Sequence, residues 1–467
     1  MKKFIIVHPK EPSEIVNRAL EILSNTLYKY TSEHPTCLDS TSGLLDTDHR
    51  VIYLGTKDSN EYINKHSSVS LCTPEEYSIQ VKNEVVIIEG FDDAGVLYGA
   101  IDFYNEYVIK FEHENDDNHY CINFFEHDTL PEFEHRSAPT TRERGLWTWG
   151  YVIYDYRGYI DNMMMLKMNS IIIWNDFLPL NAREIIEYAH ARNVKVIWGF
   201  PWLWDTNCAR FDMNNIMNES RGIYEKFEQE FAGLDIDGIY FQTFTELKVD
   251  NIDGVIIADA AARFVNNTAR IFYENRPDLE IQFGLHGISV KNKLEFLKSV
   301  DPRIRIVWED CGAFPFAYLP DDLDGFEQTL DLTRHISCLR GDDDKFGAVT
   351  KGFTKLDWNT FVHLNGPVNI GVSSEQTKLE KIKQQSAVWK YLQARWLINA
   401  DKALELIKTI YETKSSDAHI YALVEDGMFE AAPLFPVALY AQMLWDCTQD
   451  LKEMTSAVAM RDYVKFA

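Results

Sequence analysis

The chain has 467 residues, with 72 Asp and Glu against 46 Lys and Arg, and a formal charge of −26. That excess of acid argues against nucleic-acid partners, whose protein footprint is basic, and against anionic membrane surfaces. A hydrophobic content of 46% excludes disorder as the main theme, and the length allows about three ordinary domains, or fewer if one is a large α/β barrel.

The opening Met1-Lys2-Lys3-Phe4-Ile5-Ile6-Val7 starts like a secretory signal, but His8 and Pro9 end the apolar run, so a strand over residues 3–7 is expected instead. No run approaches 18 apolar residues, so no transmembrane helix is expected. The seven cysteines form no CxxC pair and are widely spaced. This fits reduced thiols and a cytoplasmic location rather than a disulfide framework or zinc module. A helix over 14–28 follows, with Ile15, Ala19, Leu20, Leu23 and Leu27 near 3.6 spacing. Residues 51–54 read as a buried strand, and 77–81 with 85–89 as a hairpin. Gly90, Gly95 and Gly99 lead into a helix, but their spacing is not GxGxxG, so a packing turn is expected rather than a phosphate loop. The polar stretch 112–134 closes a small α/β domain with a mixed sheet, placed at 1–135.

From 136 the pattern becomes strand then helix, repeated. Strands are expected at 145–149, 169–174, 194–200, 236–243, 280–285, 304–308, 346–350 and 367–372, most of them short and apolar as in a parallel sheet buried on both faces. Eight such units predict a (β/α)8 TIM barrel over 136–374. Residues 375–467 are expected to be helical, comprising the last barrel helix and either a cap or a homodimer interface.

Chemistry in such a barrel sits at the C-terminal ends of the strands. Eight of the 11 Trp fall at or just after those ends: 147, 149, 174, 198, 202, 204, 308 and 358. Interleaved with carboxylates, they describe a pocket that stacks on the apolar faces of sugar rings. Glu246 closes an apolar strand and suits a general acid, since burial raises a carboxyl pKa. Glu309 and Asp310 are candidates for base or nucleophile, and their adjacency means that at most one faces the substrate while the strand continues. Arg144, Trp149, Asn175, Asp176, Trp202, Trp204, His286, Trp308, Lys355, Asp357 and Trp358 make up the expected substrate-binding set. The 13 His show no HxH or HExxH pattern, so no metal is expected, and no cofactor either.

Arg144-Gly145-Leu146, Tyr159-Ile160-Asp161-Asn162-Met163 and Lys167-Met168-Asn169-Ser170-Ile171-Ile172-Ile173-Trp174-Asn175-Asp176 resemble the opening of the glycoside hydrolase family 20 (β-N-acetylhexosaminidase) barrel. Residues 188–197 are similar to its second-helix to third-strand step, and 95–99 to a turn in the small domain before that barrel. α-Glucuronidases and α-N-acetylglucosaminidases share the layout. The resemblance spans about 50–310 and implies that Arg144 binds the terminal sugar and that Glu246 is the acid. The family places Asp directly before this Glu to orient the substrate's acetamido group; here Thr245 stands there. Thr carries no charge to stabilise an oxazolinium-like intermediate, so either another carboxylate, from Glu309, Asp310 or Asp176, replaces it, or the enzyme belongs to a neighbouring family with a protein base. The expectation is an exo-acting glycosidase on an oligosaccharide. An α-glucuronidase-like enzyme is the nearest alternative, with Arg144, Arg142, Lys351 and Lys355 as candidate cations for a uronate carboxylate, and a non-catalytic sugar-binding descendant is the alternative of another class.

Overall fold

The structure is a computed structural model that describes residues 3–42, 49–108, 112–113, 121–122, 124–203, 213, 216–244, 251–252, 254–286, 290, 292–309, 325–341, 344–353, 364–414, 417–424 and 429–467. The chain divides into two compact units. One is Met1–Pro139 with Ala191–Asn193 and Ser456–Asp462; the other is Thr140–His190, Val194–Thr455 and Tyr463–Ala467.

The first unit is built on a six-stranded mixed sheet. Its strands are β1 (Phe4–His8), β2 (Thr36–Asp39), β3 (Arg50–Gly55), β4 (Tyr77–Lys82), β5 (Val85–Gly90) and β8 (Phe133–Ser137), in the order β2-β1-β3-β5-β4-β8. β2, β1, β3 and β5 run parallel, whereas β4 is antiparallel to β5 and to β8. A two-residue ladder joins β6 (Glu112–His113) to β7 (Cys121–Ile122). Helix α1 (Glu14–Thr31) is capped by the Ser13 hydroxyl and buries Val16, Ala19, Leu23 and Leu27 on one face. Between β3 and β4 runs the short α2 (Glu61–His66). The glycine-rich turn before α3 (Asp93–Asp102) folds tightly on itself: a Cβ on Gly90 would lie 2.2 Å from the Val96 amide nitrogen.

The second unit is a closed barrel of eight parallel strands. They are β9 (Glu143–Trp149), β10 (Ser170–Trp174), β11 (Lys195–Gly199), β12 (Gly238–Phe241), β15 (Glu280–His286), β16 (Arg305–Glu309), β17 (Phe346–Thr350) and β18 (His419–Leu423). A small hairpin, β13 (Asn251–Ile252) with β14 (Val255–Ile256), interrupts the series. The helices are α4 (Tyr156–Met165), α5 (Ala182–His190), α6 (Ile216–Phe231), α7 (Ile257–Asn275), the one-turn α8 (Leu294–Leu297), α9 (Phe326–Ser337) and the 40-residue α10 (Glu375–Lys414). α11 (Phe435–Trp445) and α12 (Leu451–Ala459) follow the last strand. This is the expected TIM barrel with an α/β sheet before it and helices after it.

One expectation about the barrel is corrected. Residues 367–372 form no strand, and only an isolated bridge ties Val372 to Asp155. The eighth strand is β18, so the barrel does not end at 374 and α10 lies inside it, between β17 and β18. β18 is the one that hydrogen-bonds to both β17 and β9, which closes the cylinder.

Strand register decides which side chains enter the barrel. Trp147, Ile172, Trp174, Ile197, Tyr240, Val307, Val349, Tyr421 and Leu423 form one buried interior cluster, with Trp149 packed on it. At the N-terminal end the interior is charged: Glu143 meets Lys195 at 2.5 Å and His419 at 3.0 Å, and Arg305 meets Glu280 at 2.8 Å.

Candidate active site

Glu309 is the last residue of β16, and alternation with Val307 turns it into the barrel at its C-terminal end. The residue is 4% exposed, so its charge needs partners. Oε1 accepts from the Tyr240 hydroxyl and, at 2.5 Å, from Gln242 Nε2. Oε2 faces Lys351 Nζ at 3.3 Å and His286 Nε2 at 3.5 Å. Burial alone would raise the pKa of this carboxyl. The positive charges of His286 and Lys351, with hydrogen bonds from Tyr240 and Lys351, outweigh it and bring the group down to about 2. Glu309 is therefore ionised across the physiological range. Tyr240 is displaced the other way, well above its ordinary value, by burial first and by the Glu309 charge second.

Aromatic rings line the same end. Trp147 and Trp174 lie 6.2 Å apart and 25° from parallel, and Tyr240 presents its edge to both at 6.0 and 6.1 Å. Trp149 is half-buried, edge-on to Trp147 at 5.4 Å and stacked on Tyr151 at 6.1 Å. Gly199 leaves the space that Trp174 fills, since a Cβ there would come within 2.9 Å of the indole. His286 sits beside Glu309, as its direct partner in the β15–β16 register.

The other expected binding residues separate by position. Asp176 is exposed and accepts a hydrogen bond from the Tyr151 hydroxyl, while its own amide donates to that hydroxyl at 3.1 Å. Asn175 is buried against Gly150, and among the described residues neither its Oδ1 nor its Nδ2 has a hydrogen-bond partner. Three residues do not reach the mouth and are corrected. Arg144 lies near the N-terminal end of β9 and is fully buried. Its guanidinium donates to the carbonyls of Lys167, Thr141 and Arg142 and lies 5.1 Å over the Trp445 ring. Trp202 stacks on Phe241 at 3.7 Å and on Phe272 of α7 at 5.4 Å, with no exposed surface. Trp308 lies between the inward Val307 and Glu309, so it turns outward, buried at 2%. Trp198 is likewise turned out, towards Phe231 at 6.2 Å.

Glu246, Thr245, Asp310, Trp204, Lys355, Asp357 and Trp358 lie outside the described residues. Tyr240 and Gln242 are absent from the expected binding set, although strand parity puts them on one face; Lys351, expected only as a cation for a uronate, follows the inward Val349 by two. Among the described residues, no group of three or more His, Cys, Asp or Glu is placed to hold a metal ion. Among them, too, no helix is long and apolar enough to cross a membrane.

No family model matches the sequence, and neither does any curated protein. Solved structures do resemble the fold. A GH138 enzyme targeting pectin rhamnogalacturonan II superposes with a TM-score of 0.57 at 12% identity, over 97% of this chain and 65% of that one. CpGH84B gives 0.54 at 12% identity, over 98% and 70%. BtGH115A, a GH115 4-O-methyl-α-glucuronidase with specificity for decorated arabinogalactans, gives 0.57 at 12% identity, over 98% and 58%. The chain thus spans between 58% and 70% of the length of these glycoside hydrolases. At this identity the likeness establishes the fold they share with this chain.

Proposed function

We propose that the protein is a glycoside hydrolase that removes a sugar from the end of an oligosaccharide, with Glu309 as its ionised carboxylate and Glu246 as general acid. The observation that carries this reading is Glu309 itself: an inward carboxylate at the C-terminal end of the barrel, kept charged by His286 and Lys351 and hydrogen-bonded to Tyr240, whose ring meets Trp147 and Trp174 edge-on. Such a group suits the nucleophile or base of glycoside cleavage, and an oxocarbenium-like transition state gains from a fixed negative charge beside it. Glu246 follows in sequence the strand that carries Tyr240, and in this reading it supplies the proton to the leaving oxygen. The family 20 resemblance and three glycoside hydrolase neighbours support the class. Thr245 argues against acetamido assistance, so a protein carboxylate carries the second role.

A uronide substrate is a second reading, favoured by the Lys351 ammonium and the His286 imidazole at the mouth, and consistent with the glucuronidase among the neighbours. Incubation with a panel of aryl hexosaminides and aryl glucuronides separates the two. On whichever substrate is cleaved, Glu246→Gln and Glu309→Gln are each expected to lower kcat by roughly 10²–10⁴-fold. Full activity in Glu246→Gln overturns the assignment of the acid. Oligosaccharide binding without turnover by wild type replaces the enzyme with a sugar-binding protein.

A further inference from the structure

We propose that Tyr240 is the positioning residue of Glu309, reaching it through a notch left by Gly284, so that Oε1 is fixed and Oε2 is the oxygen presented to the substrate. This rests on the glycosidase reading and adds to it which oxygen reacts and what aims it.

The geometry is a bridge across a strand. Tyr240 lies in β12 and Glu309 in β16, with β15 between them. In the paired register Tyr240 stands opposite Gln282, Gly284 opposite Val307, and His286 opposite Glu309. The Tyr240 hydroxyl therefore has to pass over β15 to donate to Glu309 Oε1. It passes at Gly284, where a Cβ would lie 1.9 Å from the Tyr240 oxygen and 2.3 Å from Cζ. Any side chain there pushes the phenol off its line. Glycine inside a strand weakens it, and a close approach of this kind is a reason to find one there. Gln242, two residues along the same face, adds Nε2 to Oε1 at 2.5 Å. Two donors, one in β12 and one just past it, hold that oxygen, so the carboxylate cannot turn about its last bond without breaking both.

Oε2 has different company. Lys351, just past β17, and His286 of β15 face it at 3.3 and 3.5 Å, and their side chains retain 12% and 18% exposure, whereas Tyr240 retains none. The groups facing Glu309 among the described residues are thus Tyr240 from β12, Gln242 just past it, His286 from β15 and Lys351 beyond β17. The oxygen on the open side is the one a sugar's anomeric carbon, or a water beside it, meets. Fixing the other is what pre-organises it.

The test uses the full chain and the aryl glycoside that wild type cleaves. Tyr240→Phe keeps the ring and loses the donor. It is expected to lower kcat roughly 10–100-fold, the worth of one hydrogen bond to a charged group, while KM changes less than about twofold. The acid limb of its pH–kcat profile is expected to move to higher pH, towards the ordinary Glu range, because the ionised form of Glu309 has lost a donor. Gly284→Ala, where it folds, should reproduce both effects although it touches no polar group. A Tyr240→Phe protein with wild-type kcat and an unmoved acid limb overturns the proposal, even if its melting temperature falls. If wild type cleaves no aryl glycoside, the glycosidase reading fails by itself. The positioning claim is then decided by infrared titration, as wild type minus Glu309→Gln, of the Glu309 carboxylate band. Protonation at higher pH in Tyr240→Phe supports it, and coincident titrations overturn it.

Discussion

Glu309 and Arg144 show how far the meaning of a charged side chain depends on its height along a strand. Both belong to barrel strands, but Glu309 ends its strand, whereas Arg144 is the second residue of β9. The first faces the open mouth with cations around it, and the second spends its donors on main-chain carbonyls. Arg144 therefore supports the barrel rather than the sugar. Arg144→Met, which leaves three carbonyls without their donor, is expected to destabilise the protein by about 3 kcal/mol or more. KM of the folded fraction should stay at the wild-type value, as read by urea unfolding alongside steady-state kinetics. The sign for Glu309 is equally specific. Its pKa is lowered to about 2, so its ionised form stabilises the fold fully above its unfolded value near ~4.3, and that stability is lost as pH falls through about 2. An acid limb in kcat above about pH 4 then belongs to another group, and Lys351→Met, which strips one counter-charge, is expected to bring the Glu309 limb up into view. Position along the sequence is enough to find the carboxylates. Their electrostatic state is not legible there, because it depends on β12, β15 and β17 meeting in space.

At the scale of elements, the tryptophans illustrate what a strand's period of two adds. Clustering at strand ends is legible in the sequence, but which side of the barrel wall each ring occupies depends on exact register. Trp147, Trp149 and Trp174 share the inward parity, whereas Trp198, Trp202 and Trp308 pack outward or among the helices. The two groups should respond oppositely. Trp202→Ala removes a ring stacked between Phe241 and Phe272 and is expected to cost about 3–5 kcal/mol in stability, with KM unchanged. Trp149→Ala, half-buried at the mouth, should raise KM several-fold with a smaller loss of stability, measured by thermal unfolding and kinetics on one preparation. Seven of the barrel strands are legible because each is a short apolar run in an alternating series of strands and helices. The eighth is not. His419-Ile420-Tyr421-Ala422-Leu423 is short, and a 40-residue helix separates it from β17, so the nearer run at 367–372 reads as the closing strand. α10 itself changes direction at Asn399, whose backbone leaves helical geometry (φ −119°) while its side chain donates back to the Arg395 carbonyl at 2.8 Å.

For the molecule as a whole, a charge of −26 makes a simple claim: acidification should relieve self-repulsion and stabilise the fold. The N-terminal end of the barrel makes the opposite claim. There Glu143 is buried between Lys195, His419 and the Tyr421 hydroxyl, and it is held well below the carboxylate range because His419 and Lys195 outweigh the burial that would raise it. His419 is fully enclosed, and burial lowers its pKa despite the nearby Glu143. Both shifts leave the native state with fewer bound protons than the unfolded chain as pH falls. A histidine depressed in the fold leaves stability intact above its unfolded value near ~6.5 and withdraws it as pH drops below that value; Glu143 does the same below ~4.3. The surface charges are separated and screened over about 8 Å at physiological salt, whereas the buried network is not, so the local effect should win. The melting temperature in about 0.15 M salt is therefore expected to fall between roughly pH 7 and pH 5. His419→Asn, which cannot take up a proton, should flatten that slope even if it lowers stability at neutral pH. A melting temperature that rises over this interval in wild type would assign control to the net charge, and an equal slope in His419→Asn would remove His419 as its source.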